Sequence, residues 1–368
     1  MKILILGGGR VGSAIAYDLS DNHLVTVADI SQYNLDQITL KCNVDTIIQD
    51  FSELNSLNKL LVNYELIVSA VPGFMGFEVL KNIIQNKKNV VDISFFPENA
   101  LDLNKLAEEN NVTALVDFGV APGLGNIIFG HYDKKMVIDQ YECYVGGLPK
   151  NRELPFEYKA PFSPIDVIEE YTRPARLFEN SKIIIKKPLT EIETITFDNI
   201  GDLEAFNTDG LRSLLYTMSH VPNMKEKTLR YPGHASKIQL LKDMGLFSNK
   251  PIGENQTIPI NLTSSLLKKQ WFLKPNEEEF TVMKIILKNS KQLIEVDLYD
   301  EYDKKTNVTS MARTTGYTCT AGVNLLANNV FNEKGIYPPE LIGQKIECYE
   351  YVIEYLKNRN INLKTKIK

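Results

Sequence analysis

The chain has 368 residues, 43% of them hydrophobic and 24% charged, with 41 Lys and Arg against 46 Asp and Glu for a net charge of −5. At roughly 100–200 residues per domain, that length supports about two domains with buried cores and excludes a single small binding module. The acidic balance excludes a nucleic-acid binder driven by counterion release, and no apolar run approaches the roughly 20 residues needed to cross a bilayer.

From the N-terminus, short apolar runs alternate with helical patterns. Strands are expected at Lys2–Leu6, Leu24–Ala28, Asp45–Ile48, Leu66–Val71, Val90–Ile93 and Thr113–Val116. Helices are expected at Val11–Leu19, Ser52–Val62, Gly76–Gln85 and Leu101–Asn110. Strands this short and apolar, separated by helices, imply an α/β fold with a parallel sheet buried on both faces, here a Rossmann-type doubly wound sheet over residues 1–120.

After Gly119 the texture changes. Strand candidates follow at Gln140–Val145, Lys182–Lys186 and Ile192–Phe197, with helices at Gly210–Ser219 and Ala235–Met244. Phe280–Leu287 and the alternating Ile294, Val296 and Leu298 read as a hairpin turning at Asn289-Ser290. These features predict a second, α+β domain over residues 121–315 with a mixed or antiparallel sheet. Residues 316–368, helical at Thr318–Asn328 and Lys345–Lys357, are expected to pack back on the first domain, with the terminal Lys364, Lys366 and Lys368 solvated.

Four cysteines (Cys42, Cys143, Cys319, Cys348) and four histidines (His23, His131, His220, His234) lie far apart, without CxxC or HExxH spacing. Neither a zinc site nor a disulfide framework is expected, and no metal is assigned. The start lacks the charged leader and cleavage site of a signal peptide, which makes the cytoplasm the expected compartment.

The first strand ends in Gly7-Gly8-Gly9-Arg10-Val11-Gly12, a G-x-G-x-x-G that opens a helix. In that arrangement Gly7 makes the tight turn, Gly9 lets backbone approach a pyrophosphate, and Gly12 lets the helix pack on the sheet, while the helix N-terminus faces the phosphates. Asp29, twenty residues after Gly9 at the end of the second strand, is placed to accept hydrogen bonds from the adenosine ribose. An acid there repels the 2′-phosphate of NADP, and Ile30–Thr39 contains no Lys or Arg, so the expected cofactor is NAD. Asp50 and Phe51 after strand three are assigned to the adenine side. Ala70, Val71 and Pro72 after strand four are assigned to the nicotinamide side, with Asp92 at a similar edge position.

Beyond the glycine turn, longer motifs carry a resemblance. Asp117-Phe-Gly-Val-Ala-Pro-Gly-Leu-Gly-Asn126, Tyr144-Val-Gly-Gly-Leu-Pro149, Phe162-Ser-Pro164, Glu169-Glu-Tyr-Thr-Arg-Pro-Ala-Arg176, Asp209-Gly-Leu-Arg212 and Thr228-Leu-Arg-Tyr-Pro-Gly-His234 resemble the saccharopine dehydrogenase-like family, specifically its lysine 6-dehydrogenase branch. The saccharopine reductase branch usually carries Asp in the turn where this chain has Ala121. The resemblance implies NAD-dependent oxidation of the L-lysine ε-amine to an imine, hydrolysis to 2-aminoadipate 6-semialdehyde with release of ammonia, and cyclisation to a piperideine carboxylate. It also implies that the second domain supports a homodimer. Two alternatives stay open: an imine reductase like the saccharopine and carboxynorspermidine enzymes, and a non-catalytic NAD-binding sensor or scaffold.

The chemistry sets requirements. Hydride leaves only a neutral amine, and deprotonating a lysine ammonium of pKa ~10.4 at pH 7 costs about 4.6 kcal/mol. A base, a desolvated pocket or alkaline conditions must supply it. Lys159 matches a lysine shared by both branches and is the candidate base; Asp117, at the carboxyl edge of strand six, is the candidate to hold the substrate ammonium. An amino-acid substrate also presents an α-carboxylate, which suits a guanidinium fork, and an α-ammonium, which suits an acid. Arg173, Arg212 and Arg230 are the candidate forks and Asp209 or Glu170 the candidate acids, with Tyr171, Tyr231 and His234 adding hydrogen bonds from the same motifs.

Overall fold

The computed structural model describes residues 1–161, 164–198 and 200–368, so Phe162 and Ser163 of the Phe162–Pro164 motif lie outside the described residues. The first part of the chain alternates strictly: β1 (Lys2–Leu6), α1 (Arg10–Leu19), β2 (Leu24–Asp29), α2 (Gln32–Thr39), β3 (Asp45–Ile48), α3 (Leu54–Leu61), β4 (Leu66–Ser69), α4 (Gly73–Gln85), β5 (Asn89–Asp92), α5 (Asn104–Glu109), β6 (Thr113–Leu115) and α6 (Leu124–Asp133). The middle is built from longer strands: β7 (Gln140–Pro149), α7 (Pro164–Thr172), β8 (Ala175–Glu179), β9 (Lys182–Lys186), β10 (Glu193–Phe197), β11 (Gly201–Asn207), α8 (Leu214–Thr217), β12 (Asn223–Arg230), α9 (His234–Asp243), α10 (Pro259–Gln270), β13 (Glu279–Lys288) and β14 (Leu293–Glu301). The chain closes with α11 (Ser310–Ala327), β15 (Gly335–Tyr337), α12 (Pro339–Gly343), α13 (Ile346–Lys357) and β16 (Leu363–Ile367).

These elements form two compact units. Unit 1 holds residues 1–137, 216–218 and 311–362. Its seven-stranded sheet, in the order β15-β6-β5-β4-β1-β2-β3, is parallel at every pairing. The order reverses around β1, the doubly wound arrangement expected from the alternation. Ile3, Leu4, Ile5 and Leu6 are wholly buried, as a strand covered by helices on both faces requires.

Unit 2 holds residues 138–215, 219–310 and 363–368. Its principal sheet runs β10-β11-β12-β7-β13-β14-β16, with β8 and β9 attached at β12. The sheet is mixed: β12 and β7 are parallel and the other pairings are antiparallel. The expected hairpin is present as β13 and β14, in which Ile294, Val296 and Leu298 are buried between half-exposed or exposed Glu295, Asp297 and Tyr299.

By compactness unit 1 runs on through α6 to Val137, since α6 crosses α12 at contact distance: a Cβ on Gly130 would lie 1.9 Å from the Glu340 carbonyl oxygen, and one on Gly343 2.0 Å from that of Ile127. Two expectations are corrected. The last residues leave unit 1. β16 pairs with β14, and Lys366 and Lys368, exposed as expected, reach Asp297 and Glu295, so opposite charges lie across the pair. The helix expected at 210–219 shrinks to Leu214–Thr217, since Arg212 sits at φ 48° and Gly210 presses on Glu226, where a Cβ would lie 1.8 Å from Oε1. Among the described residues no helix is long and apolar enough to cross a membrane, and no group of acids, histidines and cysteines is arranged to hold a metal ion.

Candidate functional site

Because every strand of unit 1 is parallel, the carboxyl ends of β1, β2, β3 and β4 bring Gly7, Asp29, Asp50 and Ala70 to one edge of the sheet. Gly7 adopts φ +104°, and a Cβ there would lie 2.4 Å from the Ala70 carbonyl oxygen. A Cβ on Gly12 would lie 1.9 Å from the oxygen of Gly7, so the start of α1 rests directly on the turn. Over Gly9 the space is open for 4 Å around the Cβ position. Helix α1 begins at Arg10, earlier than its apolar pattern starts, and its first turn contains no acid. The amides of Arg10, Val11 and Gly12 therefore have no intrahelical acceptor and lie at the positive end of the helix.

Asp29 is locked into this crest. Its Oδ2 accepts the amide of Gly8 at 2.6 Å, its Oδ1 accepts the amide of Ser31 at 2.7 Å, and Asn34 approaches with its side-chain amide at 3.4 Å. Ser31 in turn caps α2 by accepting the amide of Asn34. A flat glycine floor, an uncovered Gly9, a helix N-terminus and a fixed carboxylate at the next strand end together fit a dinucleotide: pyrophosphate over Gly9 and ribose hydroxyls on Asp29. Pro72 is exposed and immediately precedes α4, with Val71 buried and Ala70 half-buried beside Gly7. Asp50 is held by Ser52, through its amide at 2.9 Å and its hydroxyl at 2.7 Å, and these bonds keep its carboxyl below the usual range. Phe51 packs into the core of unit 1, so its ring supports the crest from beneath.

Asp92 departs from its expected role. It has no exposed surface and accepts both the amide and the hydroxyl of Ser94 at 3.0 Å, so it lies under the crest instead of lining it. Burial, with a contribution from the charge of Asp117, pushes its carboxyl up to about 7 against the opposing bonds from Ser69 and Ser94. Asp117 does not end β6 but lies two residues beyond it, at φ 57° and buried.

In unit 2 several predicted ligand groups hold one another. Arg176 takes Asp209 in a two-pronged pair, Nε to Oδ1 and Nη2 to Oδ2 at 2.8 Å each, so that acid is engaged. Arg173 pairs with Glu169 one turn earlier on α7. Lys159 sits 3.3 Å from Glu153 and donates to the Gln270 carbonyl at 3.4 Å. The Tyr231 hydroxyl donates to the Pro149 carbonyl, with Arg152 stacked 4.3 Å over its ring. Arg212 is buried in the loop between β11 and α8.

The remaining motif residues converge on Arg230, which is 2% exposed. Its Nε donates to the Tyr171 hydroxyl at 3.1 Å, its Nη1 to the Leu229 carbonyl at 2.9 Å, and its Nη2 to both Glu170 Oε2 at 2.9 Å and the Tyr158 hydroxyl at 3.3 Å. The guanidinium stacks 4.3 Å over the Tyr158 ring. Tyr171 also meets His234 Nε2 at 3.0 Å, and His234 Nδ1 meets the Phe156 carbonyl at 3.0 Å. Burial opposes the charge on Arg230, but the two phenols and Glu170 more than offset it and its pKa is raised. Burial and then the charge of Arg230 press His234 down to about 3, so it is neutral. Burial also raises Glu170 despite Arg230. Tyr158 and Trp271, which close the aromatic wall around His234, were not among the expected site residues. The signal available for them was a tyrosine beside Lys159 and the chain's single tryptophan.

Comparison with known proteins places this geometry. Residues 3–115 match the saccharopine dehydrogenase NADP binding domain and residues 119–361 the saccharopine dehydrogenase C-terminal domain. The chain is 24% identical to the mitochondrial alpha-aminoadipic semialdehyde synthase of Rattus norvegicus over 266 residues, 68% of this chain and 29% of that protein. It is 23% identical to the NADP(+), L-glutamate-forming saccharopine dehydrogenase of Saccharomyces cerevisiae over 294 residues, 73% of this chain and 65% of that protein. The matches thus span less than a third of the rat protein and just under two thirds of the yeast one. The solved structure of the L-Glu-forming saccharopine dehydrogenase of Saccharomyces cerevisiae superposes with a TM-score of 0.80 over 100% of this chain and 99% of that one, at 18% identity, and shares its fold. With an NAD(P)-binding glycine crest in its first unit and both family domains in order, the chain belongs to the saccharopine dehydrogenase family of oxidoreductases.

Proposed function

We propose that this protein is an NAD-dependent amino-acid dehydrogenase that oxidises the ε-amine of L-lysine to 2-aminoadipate 6-semialdehyde and ammonia, as a homodimer in the cytoplasm. The observation that carries the cofactor choice is Asp29: a carboxylate fixed by two backbone amides at the ribose position, followed by ten residues without a cation. A 2′-phosphate there would meet a negative charge and no Lys or Arg to receive it. The substrate choice rests on Ala121, a methyl group where the saccharopine branch usually carries a carboxylate.

Bound NAD would supply the acceptor for the hydride on the carbon bearing the amine, with the accompanying proton lost from the nitrogen. Within the chain, the amides of α1 and the glycine turn would seat the pyrophosphate and Asp29 would orient the ribose, Arg212 receives the substrate carboxylate, and Lys159, as the neutral amine left once its own proton has gone to solvent, takes a proton from the substrate ammonium. The printed names of the relatives support a second reading, a saccharopine dehydrogenase working with NADP.

The two readings separate in one assay of reduced-cofactor formation with L-lysine, L-ornithine and saccharopine at pH 7 and 9.5, each with NAD and NADP. The proposal expects lysine with NAD to be the productive pair and pH 9.5 the faster condition, because the amine must be neutral. Turnover of saccharopine with NADP and none of lysine would replace it with the second reading.

A further inference from the structure

The hydrogen bonds around Arg230 are unequally closed. A guanidinium only donates, so the Tyr171 oxygen accepts from Nε and its single proton goes to His234 Nε2. That leaves the imidazole proton on Nδ1, where it is donated to the Phe156 carbonyl. The Tyr171 branch is complete. On the other side, Nη2 holds the Tyr158 oxygen and Glu170 Oε2 at once, and among the described residues neither the Tyr158 proton nor Glu170 Oε1 has a hydrogen-bond partner. Tyr158 is 3% exposed, whereas the Glu170 side chain keeps 18% of its surface open. The indole N–H of Trp271, whose ring lies 5.4 Å from that of Tyr158, is likewise buried without a hydrogen-bond acceptor among the described residues.

A vacant acceptor carrying negative charge beside a vacant neutral donor, both touching one cationic nitrogen, is complementary to a zwitterion whose ammonium and carboxylate share a carbon. We propose that Glu170 Oε1 receives the α-ammonium and the Tyr158 hydroxyl donates to the α-carboxylate of an amino-acid substrate, with Arg230 as the positioning residue that holds the two side by side. This deepens the amino-acid dehydrogenase reading and rests on it. It also changes the part given to Arg230: its guanidinium is engaged by two phenols, a carboxylate and a backbone carbonyl, so the substrate's carboxylate meets Tyr158 and leaves the fork to Arg212. Asp209, the other expected acid, has both oxygens on Arg176. Lysine and saccharopine carry the same lysine-type α-amino-acid end, so the subsite serves either substrate.

The test is isothermal titration of the full chain with L-lysine, saccharopine and 6-aminohexanoate, the last being lysine without its α-amine. Wild-type protein should bind one of the α-amino acids about tenfold or more tightly than 6-aminohexanoate, the value of a charge-assisted bond. Glu170→Gln should erase that ratio while leaving 6-aminohexanoate affinity in place, and Glu170→Asp should restore part of it. Tyr158→Phe, which keeps the ring under Arg230, should weaken all three ligands several-fold. Arg230→Lys should lower the ratio as Glu170→Gln does, a readout that lost packing alone would not move. An undiminished ratio in Glu170→Gln, equal affinity of the wild type for all three ligands, or no binding of any α-amino acid would overturn the proposal. Binding with a Glu170-dependent ratio but no reduction of NAD or NADP would retain the subsite and discard the dehydrogenase reading. Lysine turnover at an unchanged KM in Glu170→Gln would do the reverse.

Discussion

The two units bury ionisable groups in opposite ways. Unit 1 places a carboxyl, Asp92, among hydroxyls and within the field of a second acid, and so favours its protonated form. Unit 2 places a guanidinium, Arg230, among phenols and a carboxylate, with a neutral imidazole completing the set. The first arrangement is least stable when its group is charged; the second depends on charge and on His234 staying neutral beside it. The lesson is that burial alone sets no sign: the neighbours decide which protonation state the fold supports. Local stability of the two units should therefore respond to pH in opposite directions.

The largest effect expected from breaking this contrast removes the crest of unit 1 altogether. Gly12→Val forces a side chain where even a Cβ would sit 1.9 Å from the Gly7 oxygen. It should cost several kcal/mol of stability, as overpacking does, and abolish cofactor binding measured by NADH fluorescence, while unit 2 retains its slow hydrogen exchange.

Next comes the acid response of unit 2. His234 is held near 3, below the ~6.5 of an unfolded histidine, so its contribution is present above about pH 6.5 and is lost as pH falls toward about 3. The slope is at most about 1.4 kcal/mol per pH unit for one proton. Amide exchange in β12 and α7 should accelerate on acidification through that window, and His234→Gln should flatten the dependence.

Unit 1 responds with the opposite sign. The folded pKa of Asp92, about 7, lies above the unfolded value of ~3.9, so its contribution is fully present below about pH 4 and is lost as pH rises through about 7. Asp92→Asn should leave β4 and β5 unchanged in exchange at pH 4 and protect them more at pH 8, by on the order of 1–3 kcal/mol.

Two smaller effects probe the residue proposed to meet substrate in unit 2 and the one proposed to meet cofactor in unit 1. Arg212→Leu should raise KM for lysine by one to two orders of magnitude, about 1.4–2.7 kcal/mol, with the fold intact by circular dichroism. Asp29→Ser should narrow the preference for NAD over NADP by about tenfold, read as the ratio of kcat/KM for the two cofactors.

How much of this was legible in the sequence follows from the range of the interactions. The strands of unit 1 are apolar runs buried on both faces, and the glycine turn is local chemistry, so both could be read from consecutive residues. β16 could not, because LKTKI gains its place only through the acids of β14. The loop at 210–213 looked helical because nothing local announces a left-handed Arg212 or the approach of Glu226 to Gly210. Residues 170, 171, 230 and 234 could be grouped from the motifs they share, but their mutual bonds depend on distances that sequence does not carry. Tyr158 and Trp271 pass as ordinary core aromatics until the Arg230 cluster shows which of their polar atoms are left over. Asp92 looked like a crest residue from its strand position, and only the fold reveals that Ser94 closes over it.

The most direct test of the central claim is the initial rate of absorbance increase at 340 nm with purified protein, L-lysine and NAD at pH 9.5, with ammonia measured in the same reaction. The account predicts one ammonia released for each NADH formed, and a much slower rate when NADP replaces NAD. No NADH from lysine, with NADPH formed from saccharopine under the same conditions, would contradict it.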